Sequence, residues 1–455
     1  MTFVAEGVEL KYDRLCLIPL GGQSEVGRML WALSYAGEIL LIDAGASYPG
    51  TSLPGVDLLL PNTAFLEANQ DRISALILTN GNEEHCGAVP YLLEHVKIPR
   101  IMAPRFVAAL MSQRLLSRGQ ADVTTIDTIE TRTSYQIGSF QVEWVQVNDA
   151  IADACGLKIG TAEGTIIYTS SFKLDQTPID GRHLDIARLA ETGDQGVLLL
   201  ISDSAGVEDS DYTPSEREVA RGLEKQIDIC EGRAIIVLPG TNTLRMQVLF
   251  DLAKKYGRKV ILFGETLIQT AVAAAITGNL SYDRSVEASL NDMSKLKDSE
   301  IMILATGEDG DAMAVLLELT HAKNKELSLK KTDTVIFSSE IYPGESRKLA
   351  LILDQLLTLG IRGVISSKDK VHVSSHAGRE ELKLILALTN PEYFVPAIGE
   401  GRHIMHHAQL AHEFGLATEC IFPLRNGEIL EITNGAATVI GAVEAQAVFY
   451  NRGQE

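Results

Sequence analysis

Four polar side chains, Asn80, Asn82, Glu84 and His85, stand between the apolar run SALILT and the helix-like stretch CGAVPYLL. A carboxylate beside an imidazole at the carboxyl end of a strand, where layered α/β proteins place their chemistry, suits proton transfer or metal binding. The two asparagines offer only neutral amides, which are poor ligands for a borderline-soft metal. A second cluster, Ser374, Ser375 and His376 in VHVSSH, could cradle a phosphate with hydroxyls, loop amides and an imidazole. A loop histidine satisfied by a neighbouring carboxylate is the plainer account, and Asp203 in SDS reads as an orienting or capping carboxylate. His403, His406, His407 and His412 make a histidine-rich helix in which 403 and 407 share a face as an i, i+4 pair. A packed or solvated helix face explains them without a metal. Cys86 could join Glu84 or Asp149 in a rebuilt metal site, although an apolar cysteine at a buried helix start is simpler. The GGQSEVG loop lacks the GxGxxG spacing of a dinucleotide site.

Positioning these residues requires strands that end in loops. LCLIPLGG, EILLIDAG and SALILTNG each read as a buried strand meeting a turn. Further strand-like runs lie at 140–147, 164–169, 197–202, 234–238, 259–263, 301–305, 334–338 and 363–366, with VHVSSH read as another strand running into a loop. Helical patterns fall at 215–230, 243–256, 345–359, 379–388 and 403–414. The alternation predicts an α/β protein of layered sheets and helices. Pro214 opens a helix at SEREVARGL with Thr213 as its N-cap and Glu216 three residues on, and from there to about Val364 the rhythm is that of a compact insert. NGEILEITNGAATVIG predicts hairpin strands around Asn-Gly turns.

The whole chain bounds the chemistry. Its 455 residues exceed what one core normally organises, and 45% apolar with 22% charged residues excludes global disorder. Forty basic against sixty acidic residues give a net charge of −20, which repels polyanions at long range, so any nucleic-acid contact must be local. Five scattered cysteines without CxxC spacing argue against a disulfide framework and fit a reducing cytoplasm. No apolar run reaches a bilayer-spanning length and the start carries no signal pattern.

On these residues the chain resembles the metallo-β-lactamase fold and, more narrowly, is similar to the RNase J branch of the β-CASP nucleases. The segment at 80–85 resembles the HxHxDH signature. LIPLGGQSEVGRM, LIDAG, TSSFKLDQTPIDG, SDSAGVEDSDYTPSE, VHVSSHAGREELKLIL and VPAIGEGRHIMHHAQLA resemble further family segments in order along the chain. The resemblance implies an αββα metallo-β-lactamase sandwich whose two parts, 1–210 and 365–455, flank an inserted β-CASP α/β domain at 211–364. It also implies a C-terminal domain that full-length members carry and this chain lacks.

The family's two divalent metals, usually zinc, activate water for phosphodiester hydrolysis. By the resemblance, their ligand positions fall here on Asn80, Asn82, Glu84, His85, Asp149, Ser171 and Ile398, of which only Glu84 and His85 keep a ligand of the expected general type. Asp43 in LIDAG implies a support for the metal loop rather than a ligand. The expectation is therefore a pseudoenzyme with a degenerate metal site, no metal, no cofactor and no catalytic residue. It would serve as a protein-binding or scaffold subunit, with an active RNase J-family nuclease or another large complex as partner. RNA binding is expected to be weak or absent, with Ser374, Ser375 and His376 as residual phosphate contacts. The acidic loops 305–311 and 338–346, with Glu308, Asp309, Asp311, Glu340 and Glu345, oppose phosphate. The alternative is a weak or altered metal-dependent hydrolase or ribonuclease, or an RNA-binding regulator.

Overall fold

A computed structural model describes residues 2–5, 8–49, 53, 55–307, 310–321, 326–341, 346–365 and 369–451. Among the described residues, three main sheets organise the chain. The first has eight strands in the order 125–129, 100–104, 73–77, 38–42, 30–35, 15–21, 428–433, 436–442. The second has six, in the order 134–137, 140–146, 155–160, 165–168, 199–203, 393–397. Trp31, Leu33, Leu40 and Ile42 of the first pack against Phe140, Trp144, Leu157 and Tyr168 of the second, making the inner layer of a sandwich. Alternate residues of the same strands, such as Ile18, Leu20, Ile39 and Leu41, enter a separate core beneath the helices. A strand covered on both faces reads as an unbroken apolar run, which is why LCLIPLG is buried at every position.

The third sheet is wholly parallel, in the order 259–263, 301–305, 234–237, 334–337, 362–365. Helices Ala312–Thr320 and Ser346–Thr358 pack on one face around Ile235, Val237, Ile303 and Val335. Ala234 and Ile236 face the other way, into the core that also holds Leu76 and Phe106 of the first layer. Helix Arg105–Ser117 lies against helix Glu265–Thr277 there. The chain is thus the expected α/β molecule: a metallo-β-lactamase sandwich plus an inserted α/β layer.

Two local expectations fail. Ser215 rather than Thr213 caps helix Glu216–Asp228, its side chain accepting from the Arg217 N–H. The Thr213 hydroxyl instead donates to the His376 carbonyl at 2.7 Å. Residues 371–376 join no ladder. Their carbonyls are taken by side chains: Val371 O accepts from Ser338 Oγ at 2.6 Å and Ser374 O from Lys173 Nζ at 3.2 Å. The Asn-Gly hairpin forms as read, with φ of 50° at Asn434 and 73° at Gly435, the left-handed pair that a two-residue turn needs.

Candidate functional site

The loops that end strands 38–42, 73–77, 140–146, 165–168, 199–203 and 393–397 converge. Loop 43–46 is stapled to 83–88 by Ala44 N to His85 O (2.7 Å), Ala46 N to Glu83 O (2.9 Å) and Ala88 N to Ala44 O (2.8 Å), and Met29 N adds a bond to Glu84 O (3.0 Å). The approach is so close that a Cβ on Gly45 would lie 1.6 Å from the Glu84 carbonyl oxygen, so only glycine fits in LIDAG. Asp43, Ser170 and Ile398 all sit at φ of 58–59°, in the left-handed region. For Ile398, β-branched and buried, that is a strained conformation.

At the centre, the fully buried Asp43 carboxylate accepts from Thr79 N (2.9 Å), Thr79 Oγ1 (2.8 Å) and Tyr168 OH (3.2 Å), and pairs with His85 Nδ1 at 2.8 Å. The other ring nitrogen of His85, Nε2, lies 2.8 Å from Ser171 Oγ. Burial opposes a charge on His85, but the carboxylates of Asp43, Glu84 and Asp149 raise its pKa. Asn80 is held at both ends, its Nδ2 donating to Asp149 Oδ2 at 2.7 Å and its Oδ1 accepting from Asn82 N at 3.0 Å. Burial raises the Asp149 pKa, against hydrogen bonds from Asn80 and Ser375.

These residues do not fit a pair of divalent metals. Both nitrogens of His85 are spent, the Asp149 carboxylate is tied down, and the amides, hydroxyl and alkyl group at 80, 82, 171 and 398 supply neither imidazole nor anionic oxygen. Among the described residues no group of three or more His, Cys, Asp and Glu is arranged to hold a metal ion. Cys86 does not rebuild one: its thiol donates to Asn82 O at 3.2 Å, lies 3.7 Å from Arg114, and burial pushes its pKa up to about 12. The helix histidines are occupied elsewhere. His403 and His406 approach Glu208 at 3.5 and 3.0 Å, while His407 bonds Ser204 at 2.9 Å and burial pushes its pKa down to about 3.

Beside this closed network lies a cleft between the sandwich and the third sheet. Asn82, Glu84, Ser375 and His376 face it from one side, and Thr241, Asn242, Asp311, Ser339 and Glu340 from the inserted layer. Ser374 does not; its hydroxyl accepts from the His376 N–H at 3.2 Å. His376 Nδ1 pairs with Asp203 Oδ2 at 2.8 Å, and Asp203 Oδ1 also accepts from Ala205 N. Burial opposes the imidazolium, but Asp203, then Glu340 and Glu84, outweigh it and push the pKa up to about 10. His376 is therefore a cation at neutral pH. Of the acidic loop residues, Asp311 caps helix Ala312–Thr320, Glu340 lines the cleft, and Glu308, Asp309 and Glu345 lie outside the described residues.

Sequence reasoning missed the network around His372. Its Nδ1 lies 2.8 Å from Arg245 NH1, and Arg245, fully buried, donates to Glu216 at 2.7 and 3.0 Å and to Ser338 O at 2.7 Å. Burial, Arg245 and Lys173 hold His372 neutral. The partners are 29 to 127 residues apart, so no local pattern announces them.

Comparison with known proteins adds the following. A family model described as "Ribonuclease J, beta-CASP domain" matches residues 231–356, and "Zn-dependent metallo-hydrolase RNA specificity domain" matches 364–423. The chain is 34% identical over 430 residues to a Ribonuclease J of Synechocystis sp., covering 94% of this chain and 67% of the relative. It is 32% identical to Ribonuclease J 1 of Streptococcus pyogenes (97% and 79% covered) and 32% to Ribonuclease J2 of Bacillus subtilis (92% and 75%). A crystal structure of a protein of unknown function from Enterococcus faecalis shares the fold, with TM-score 0.62 and 15% identity over 92% of this chain and 100% of that one. No helix among the described residues is long and apolar enough to cross a membrane. The expectation of a pseudoenzyme is overturned here, because relatives along nearly the whole chain bear the name of an enzyme. The cleft beside the closed network holds a charged histidine and carboxylates, groups able to do acid–base chemistry.

Proposed function

Because this chain belongs to the ribonuclease J family, we propose that it is an RNA-directed ribonuclease with an altered centre, working in the cleft between sandwich and inserted layer. The observation that carries this reading is His376, an imidazolium fixed by Asp203 at 2.8 Å on the cleft wall beside Ser375. A fixed cation holds a phosphodiester and can donate a proton to a departing oxygen. Glu84 and Glu340 on the same walls keep affinity for a polyanion low. We place the inserted domain at 211–364, between sandwich parts 1–210 and 365–455, which puts the cleft at their junction. Five unpaired cysteines support action in a reducing cytoplasm.

The test is single-stranded RNA bearing a 5′-monophosphate, followed for binding and for shortening at low salt, with wild type and His376→Ala prepared alike. Weak binding and slow cleavage, both lost in the variant, are expected. A wild-type protein that neither binds nor cuts RNA ends the proposal.

A further inference from the structure

The misfit of the metal centre raises the question of what else in the cleft could break a phosphodiester. RNA carries its own nucleophile. Its 2′-hydroxyl can attack the adjacent phosphorus if one group removes the hydroxyl proton and another protonates the leaving 5′-oxygen, with no metal-activated water. Two groups of this kind face the cleft from different elements. His376 is held through Nδ1 by Asp203, which leaves Nε2 as the nitrogen for substrate. Glu340 follows strand Thr334–Phe337 of the inserted sheet, and its carboxylate makes no hydrogen bond or ion pair among the described residues. Each bears on the other's charge, Glu340 favouring the imidazolium and His376 the carboxylate.

We propose that the chain cleaves RNA by transphosphorylation, with Glu340 as general base and His376 as general acid. The Glu340 carboxylate takes the 2′-hydroxyl proton as the 2′-oxygen–phosphorus bond forms. The phosphorus–5′-oxygen bond breaks, and His376 Nε2 gives its proton to the departing 5′-oxygen. The products are a 2′,3′-cyclic phosphate and a 5′-hydroxyl, and the two side chains exchange protonation states before the next turnover. Burial raises the Glu340 pKa, and a carboxylate shifted towards neutrality is a stronger base, in keeping with this role. Ser339 on the same walls offers a hydroxyl to the phosphate's free oxygens.

This deepens the proposed ribonuclease reading and rests on it. The experiment uses the full chain in chelator, a single-stranded RNA, and the same RNA with one 2′-deoxynucleotide, with product ends identified by mass spectrometry. Cleavage should persist in chelator, leave cyclic phosphates and skip the deoxy position. Glu340→Gln should lower kcat by about 100-fold or more with KM little changed, and Glu340→Asp, which keeps a carboxylate, should retain more activity than Glu340→Gln. Cutting that leaves 3′-hydroxyl and 5′-phosphate ends, or that proceeds at the deoxy position, overturns the transphosphorylation and leaves the ribonuclease reading standing. RNA binding without cleavage overturns it too, and absence of both removes both proposals. Folding of each variant is checked by circular dichroism, and if Glu340→Gln unfolds, the deoxy substrate and product ends still decide.

Discussion

At the scale of single residues, the charge on His376 depends chiefly on one carboxylate. Asp203 raises the His376 pKa to about 10 against the cost of burial. Because the folded value lies above the unfolded one, near 6.5, the pair's contribution to stability is complete below about pH 6.5 and is lost as pH rises through about 10. Asp203→Asn should move the His376 ring titration, followed by proton NMR, down by several units and leave the ring largely neutral at pH 8. A ring that stays charged in the variant would mean that Glu340 and Glu84 suffice to hold the proton. His407 behaves oppositely. Buried and neutral down to about pH 3, it makes folding less favourable as pH falls from about 6.5 towards 3, by about 1.4 kcal/mol per pH unit. His407→Gln should flatten the acid limb of denaturant stability by that one proton.

At the scale of elements, helices Glu216–Asp228 and Thr243–Lys255 are joined to segment 371–376 through Glu216, Arg245 and His372. Removing Arg245 leaves the buried Glu216 carboxylate without its hydrogen-bonded partner and with only Lys173 at 4.0 Å, so Arg245→Ala should cost about 3 kcal/mol in denaturant unfolding. Arg245→Met with Glu216→Leu should recover only part of it, since Lys173, buried 4.0 Å from Glu216, then loses its carboxylate. The elements themselves were readable because their signals are local. Apolar periodicity placed Lys259–Phe263 and Ile301–Ala305 to the residue and helix Arg379–Thr389 to within one. Segment 371–376 was misread as a strand because VHV has strand composition, while the side-chain donors Ser338 and Lys173 that capture its carbonyls come from far along the chain. The same limit applies to the site. Residue types at 80, 82, 171 and 398 announce that these positions supply neither imidazole nor carboxylate. Nothing in the sequence announces that Ser171 meets His85 or that Glu340 shares a cleft with His376. Its acidic loop was legible only as repulsion.

At the scale of the molecule, a net charge of −20 surrounds one small cationic point. Most nucleic-acid binders associate more slowly as salt is added, because attraction is screened. Here the long-range field is repulsive. The association rate of a short RNA, measured by stopped-flow fluorescence, should therefore rise as salt increases from low ionic strength, while the dissociation rate reflects the few local contacts. A rate that falls monotonically would point to a cationic track outside the cleft.

The strained turns at Asp43, Ser170 and Ile398 bear on design. Three separate loops reach the same left-handed shape, one with a carboxylate, one with a hydroxyl and one with an alkyl group, so no single side-chain type sets that conformation here. A designer who wishes to install a different catalyst in the sandwich has these three backbones to keep in place, because they are the mould that aims the side chains.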